Sequence, residues 1–446
     1  QVVFSYDQSL VKDEIQDNYA PTRDTIKKLG LSLDDLVNER RNHLSKYCAS
    51  EEVFLVIWTK VDSLSQDQLS KAMAKKTKQL SEKNAPVFRY TQNILAAIPD
   101  LRDSHDSSVK SVVTNGANFG LKLELLEVHD AIKSIRNLTD RNFTDPDWRA
   151  ILPGDKIRPK LAKSFNGDIA DLTWPAISKQ IFPRDGYNYS IDSTAVGDYA
   201  YGTVFIDLFP LEIQSFNALM GRLLHAGIPW RISYLMESGG VSSVRMKKAL
   251  STILAFSSSE NRLIANGIEL LEYIELNTDD SSVKLQVSLC TWAPRSDPAL
   301  LKVRTSILAR AVEGWGSCDV SQVCGDPFEG YIATLPAVSS KSPATATVAS
   351  LADSIKMLPF FRPTSPWDKG ALLFRSPDGK IWPYQPGSPI QTTAIDLIYA
   401  RPGSGKSVLS NALNLALCLM GGLKRLPRVS IVDIGPSSSG LISLLK

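Results

Sequence analysis

The run Ile395-Asp396-Leu397-Ile398-Tyr399 leads straight into Ala400-Arg401-Pro402-Gly403-Ser404-Gly405-Lys406-Ser407. Residues 408–420 follow, with Leu409, Ala412, Leu413, Leu415, Ala416, Leu417 and Leu419 at helical spacing. The apolar run predicts a strand, the glycine-bearing octet a loop, and the remainder a helix. That is the order of a phosphate-binding loop, with Ala400 where the first glycine usually stands. Gly403 and Gly405 let backbone N–H groups curl around a phosphate, which Cβ atoms would obstruct. A helix opening near Gly405 points unpaired N–H groups and its dipole at the anion. Lys406, the catalytic candidate, adds a mobile charge to the β and γ phosphates. Ser407 offers its hydroxyl to a Mg²⁺ that bridges them. Arg401, Pro402, Ser404 and Val408 complete the nucleotide-binding set, and ATP with Mg²⁺ is the expected ligand pair. A chance surface turn would not require the right flanks on both sides.

Downstream, Arg428-Val429-Ser430-Ile431-Val432 predicts a second strand, ending at Asp433. A carboxylate there is a candidate Mg²⁺ ligand. It is also a candidate second-strand residue near the nucleotide edge, or a turn cap. In RecA-like motors the metal-holding strand arrives later in the chain, and its Asp is usually followed by Glu. Here Ile434-Gly435-Pro436 follows instead. Ser437, Ser438 and Ser439 then read as a helix N-cap run before residues 441–445. The chain stops 40 residues past Lys406, too few to build a parallel sheet buried on both faces. The expectation is a truncated P-loop domain that binds nucleotide poorly and does not turn it over.

The chain has 446 residues, 43% of them apolar and 22% charged, with 50 Lys+Arg against 47 Asp+Glu. This excludes a wholly disordered or collagen-like protein. The net charge of +3 does not announce a nucleic-acid binder. Cys48, Cys290, Cys318, Cys324 and Cys418 contain no CxxC pair, and His43, His105, His129 and His225 stand far apart. No structural zinc site is indicated, and sparse thiols fit a reducing cytosol. The longest apolar stretches, 53–58 and 415–423, fall far short of the ~20 residues of a bilayer-crossing helix. The first residue is Gln1 and no basic-plus-apolar leader follows, so the chain reads as a piece of a longer polypeptide.

Four regions are expected. Residues 1–195 form an N-terminal helical and α+β region. Ser32 is the expected N-cap of its second helix, residues 52–59 a strand buried on both faces, and 109–138 helical. Lys71, Lys75, Lys76, Lys78 and Lys83 form a solvated helix face, and 142–169 reads as loop. Residues 196–338 alternate strands (201–208, 229–235, 283–292) with helices (211–226, 244–272, 298–312), the order of a βαβ-type layered docking domain. Residues 339–370, rich in Ser, Thr and Pro, read as a linker or strap. Residues 371–446 open the RecA-like P-loop domain. They begin with a hairpin in which Ser376-Pro377-Asp378-Gly379 turns between 371–375 and 380–382. The fold class is α/β, a mixed α+β and α/β scaffold followed by this truncated domain.

Four segments together carry a resemblance: Pro359-Phe360-Phe361-Arg362-Pro363-Thr364-Ser365, Gly370-Ala371-Leu372-Leu373-Phe374, the loop 401–407, and Val432-Asp433-Ile434-Gly435-Pro436-Ser437-Ser438-Ser439-Gly440. They resemble the large TraC-like ATPases of type IV secretion and conjugation machines. Within that group they are most similar to the DotO/IcmB-type ATPases of type IVB (Dot/Icm) secretion and their IncI-plasmid conjugation relatives. The specific match covers roughly 358–446, while the earlier scaffold agrees in layout only. The resemblance implies an N-terminal α/β domain docked to an inner-membrane complex and a RecA-like motor assembled into hexameric rings at the cytoplasmic channel entrance. It also implies a second cytoplasmic ATPase nearby and peripheral membrane association. Carried over, Lys406 and Ser407 are the Walker A lysine and the Mg²⁺ serine, with Gly403, Ser404 and Gly405 as the cradle. Two other readings stand beside it: an FtsK/HerA-type motor acting on duplex DNA, whose binding would weaken steeply with salt, and a non-catalytic docking module. Small-molecule kinases and small GTPases fit less well, because they usually open with the loop.

Overall fold

The computed structural model describes residues 1–61, 64–82, 99–143, 145–152, 155, 175–210, 212–254, 259–393, 395–432 and 438–445. The chain divides into two compact units, each assembled from separated segments. The first comprises Gln1–Val3, Val53–Gln214 and Arg231–Phe360, and the second Phe4–Glu52, Ser215–Trp230 and Phe361–Lys446. This division differs from the expected succession 1–195, 196–338, 339–370 and 371–446, because the loop-bearing unit also draws on two earlier stretches of chain. Among the described residues no helix is long and apolar enough to cross a membrane.

A mostly antiparallel sheet organises the first unit. Its main strands are β1 (Val2–Asp7), β2 (Ser50–Leu55), β3 (Gly186–Asn188), β4 (Ser193–Val196), β5 (Tyr199–Leu208), β6 (Trp230–Ser238) and β7 (Ser282–Pro294). The order is β2-β1-β6-β7-β5-β4-β3, with β8 (Asp319–Ser321) on β5 and β9 (Thr347–Ser350) on β7. β1, β2 and β6 enter this unit through Val2–Val3, Val53–Leu55 and Arg231–Ser238. β5 and β7 pair antiparallel, placing Tyr201 opposite Trp292. Those two rings and Tyr331 form the centre of a buried cluster. The expected alternation of strands and helices thus builds a mixed α/β layer whose sheet is mostly antiparallel. The strands fall where alternation puts them, but β7 lies between β5 and β6. Side-chain period reports that a strand exists and leaves its neighbours unspecified.

Other expectations for this region are also revised. Residues 339–370 are no free strap: 347–350 pair with β7, and the Gln286 amide donates to the carbonyls of Ser342 and Ala344. β2 sits at the sheet edge with Val53 and Leu55 exposed, where burial on both faces was expected. The helical stretch 109–138 divides into two helices, Pro99–Asn118 and Val128–Thr139. The 142–169 loop and Lys83 lie largely or wholly outside the described residues.

The second unit begins with α1 (Val11–Leu29) and α2 (Asp34–Leu44). α1 buries Val11, Ile15, Tyr19 and Ile26 along one face, carries Asp13 and Glu14 in its first turn and Lys27 and Lys28 in its last, and stops at left-handed Gly30. α2 starts at Asp34 with Leu33 at its N-cap position and no side-chain cap, so Ser32 does not fill the expected role. β10 (Leu372–Arg375) and β11 (Ile381–Tyr384) form the expected hairpin. Its turn closes from the Gly379 N–H to the Ser376 carbonyl at 3.1 Å, with Gly379 at φ +85°. The helix after the glycine-bearing octet is α3 (Lys406–Cys418), and α4 (Ser439–Leu444) ends the described chain. Leu415 and Leu419 join Val11, Ile15, Tyr19, Ile26, Val37, Leu373, Ile381 and Leu441 in one core.

A buried guanidinium ties the three segments of this unit together. Arg362 and Glu51 have side chains only 5% and 3% exposed. Arg362 donates to both Glu51 carboxylate oxygens, and its Nη2 also meets Asp378 at 3.0 Å. Its charge lies over the rings of Phe4 and Phe216, 5.4 and 5.8 Å from their centroids. Burial nevertheless pushes the Glu51 carboxyl up to about 7 from an ordinary 4.5, outweighing the opposing pull of Arg362 and Lys380. A raised acid pKa favours the folded state most at low pH. This contribution is complete below about pH 4.5 and is lost as pH rises through about 7. Glu51→Ala is expected to destabilise this unit by about 3 kcal/mol, the low end for breaking a buried pair, because Asp378 still holds Arg362. Urea denaturation between about pH 5 and 8 should also show stability falling with pH in the wild type and a flatter profile in Glu51→Gln.

Candidate phosphate-binding loop

Residues 401–404 form a tight turn. Pro402 and Gly403 occupy its two central positions, with Gly403 at φ +78°, the residue pair that a type II turn favours. The Ser404 N–H reaches the Arg401 carbonyl at 3.3 Å, and the Ser404 hydroxyl donates to the same oxygen at 2.6 Å. The backbone then passes through Gly405 at φ +89°, which serves as the N-cap residue of α3. The helical ladder starts at once, the Leu409 N–H donating to the Gly405 carbonyl at 3.0 Å.

No side chain caps α3. A helix leaves its first N–H groups without intrahelical acceptors, so those of this helix face the space in front of an exposed loop. A Cβ at Gly403 or Gly405 would meet nothing within 4 Å. The glycines are thus required by backbone angle, and the space beside them is open. Lys406 and Arg401 are exposed, and Lys406 has no acidic partner at ion-pair distance among the described residues. A cationic loop rich in N–H donors and without a carboxylate of its own is the donor set a phosphate requires. Ser407 and Val408 occupy the first turn of α3, so all eight expected loop residues, 401–408, are brought together. Asp433 lies outside the described residues.

The two strands expected to frame the loop are not formed. Residues 395–400 and 428–432 have no ladder partner. Ile395, Leu397 and Tyr399 are 84%, 85% and 87% exposed, and Val432 is fully exposed. A parallel strand gains its stability from neighbours on both sides, and none lies beside these segments among the described residues. The RecA-like sheet is therefore absent from the described part of this unit.

What holds the loop's helix in place comes from elsewhere in the sequence. The Thr25 hydroxyl donates to the Met420 carbonyl at 2.8 Å, and a Cβ on Gly421 would come within 2.9 Å of Pro21. On another face Ala412, Leu413 and Ala416 pack with Ala371, Leu372, Phe374 and Tyr384 of the hairpin region. The Tyr384 hydroxyl reaches back to Asp396 at 2.9 Å. Sequence reading missed these supports, because a polar side chain 395 residues away leaves no local pattern. No known protein family matches the chain, and no curated protein matches it.

Gly405→Ala forces a left-handed angle on a residue with a Cβ, at a local cost of about 1–2 kcal/mol. The expected result is faster hydrogen exchange at the Leu409 amide, with the first unit's unfolding unchanged.

Proposed function

We propose that this chain belongs to a P-loop ATPase that energises substrate translocation through a type IV secretion or conjugation channel. The observation that carries the reading is the uncapped start of α3, where Gly403 and Gly405 hold left-handed angles beneath an uncommitted Lys406. In this reading the first-turn amides and the turn at 402–405 cradle the β-phosphate. Lys406 reaches the β and γ oxygens, and Arg401 adds a second cation at the rim. Mg²⁺, when bound, would supply neutralising charge, and the Ser407 hydroxyl would help to hold it. The loop itself contains no carboxylate able to orient a water. The proposal therefore assigns hydrolytic chemistry to residues outside 401–408 and nucleotide capture to these.

The partners follow from the resemblance of residues 358–446: other copies of the chain in a hexameric ring, an inner-membrane complex that recruits it, and a second cytoplasmic ATPase. The chain would then sit in the cytoplasm, peripheral to the inner membrane. The first unit, with its broad antiparallel sheet, is the docking platform in this scheme.

Lys406→Ala tests the reading. Charge-assisted contacts to phosphate are worth about 1.5–3 kcal/mol each, so the variant should bind Mg·ATP about tenfold to a hundredfold more weakly by equilibrium dialysis. Its thermal unfolding should match the wild type, and in the complete machine it should abolish secretion or plasmid transfer. Undiminished nucleotide binding by the variant would remove the basis for the assignment.

A further inference from the structure

Tyr384 stands at the junction of everything that supports the loop. It closes β11, opposite Leu372 in the hairpin register. Its ring takes the edge of Trp367 at 4.9 Å and lies 6.1 Å from that of Phe374. The same ring joins the apolar cluster that contains Ala412, Leu413 and Ala416 of α3. Its hydroxyl donates to Asp396, five residues ahead of Arg401 on the segment entering the loop. One side chain thus packs with the helix that leaves the loop and hydrogen-bonds the segment that enters it. Between Asp396 and α3, the backbone bonds described are those of the 401–404 turn. The segment 395–400 has no ladder of its own to fix it.

We propose that Tyr384 and Asp396 are positioning residues for nucleotide binding, a tether that holds the entry to the phosphate loop at a set distance from its helix. The inference rests on the nucleotide-binding reading of that loop. A cradle of amides grips a phosphate only if its two ends are held at the spacing the anion needs. An untethered entry must be ordered at the moment of binding, which lowers affinity. The Tyr384 hydroxyl is suited to this, because burial and the neighbouring carboxylate push its pKa up and keep it a donor at neutral pH.

Tyr384→Phe removes the hydroxyl and keeps the ring in its cluster. Asp396→Ala removes the acceptor, and Asp396→Asn restores one. In the intact chain, with Mg²⁺ and a fluorescent N-methylanthraniloyl-ATP as probe, Tyr384→Phe and Asp396→Ala should each weaken binding about three- to tenfold, the range for one lost hydrogen bond. The double variant should be no weaker than either single one, and Asp396→Asn should bind nearly as the wild type does. Thermal unfolding should be unchanged throughout. Without nucleotide, amides of residues 400–405 should exchange several-fold faster in Tyr384→Phe. Wild-type binding that Tyr384→Phe leaves unaltered would overturn the tether and spare the nucleotide-binding reading. If the wild type fails to bind the probe, that reading falls, and equal exchange at 400–405 in both proteins would dispose of the tether as well.

Discussion

The loop-bearing unit depends on one buried positive charge. Its three chain segments are far apart in sequence, and Arg362 touches all of them: Glu51 and Phe4 from the first, Phe216 from the second, Asp378 from the third. A guanidinium cannot shed its proton, so it must be met by anions or π faces wherever it is buried. That requirement fixes the partners more sharply than apolar packing would, since a slipped segment would leave an unpaired charge in the interior. Glu51 bears the cost, held up near neutrality by the same burial that makes the contact specific.

Around that node the unit is arranged to present one helix end. α3 is gripped along its length by the α1 core and by the hairpin region, while its first turn is left without a cap. A helix whose N-terminus had only to be stable would take Ser, Thr, Asp or Asn at the capping position. Gly405 offers no side chain and holds a left-handed angle. Local stability is relinquished there while the surrounding packing is kept, a pattern expected at binding sites.

Much of this was legible in the sequence where the governing interactions are local. The octet 400–407 announces its geometry because Pro402, Gly403 and Gly405 each answer a backbone demand within a few residues. The hairpin was readable from Ser376-Pro377-Asp378-Gly379 for the same reason. β5, β6 and β7 were visible as strands, yet the insertion of β7 between the other two was not, because side-chain alternation carries no address. β9 hid in a Ser- and Thr-rich stretch, its place decided by backbone pairing rather than composition. Ile395-Asp396-Leu397-Ile398-Tyr399 misled in the opposite sense. Strand propensity expresses fit to neighbours, and the described residues supply none. Nor did the apolar face of α1 reveal that its partner is a helix starting at Lys406.

The Thr25–Met420 bond, which spans 395 residues, sets a timetable for synthesis. At about 5–20 residues per second, α1 emerges from the ribosome roughly 20–80 s before the helix it packs with. Through that interval Val11, Ile15, Tyr19 and Ile26 share their core with Leu33 and Val37 but lack Leu415 and Leu419, and a nascent chain with a core half complete is a natural client for chaperones. The turn at 401–404 and the helix behind it therefore settle only after these two distant stretches have met.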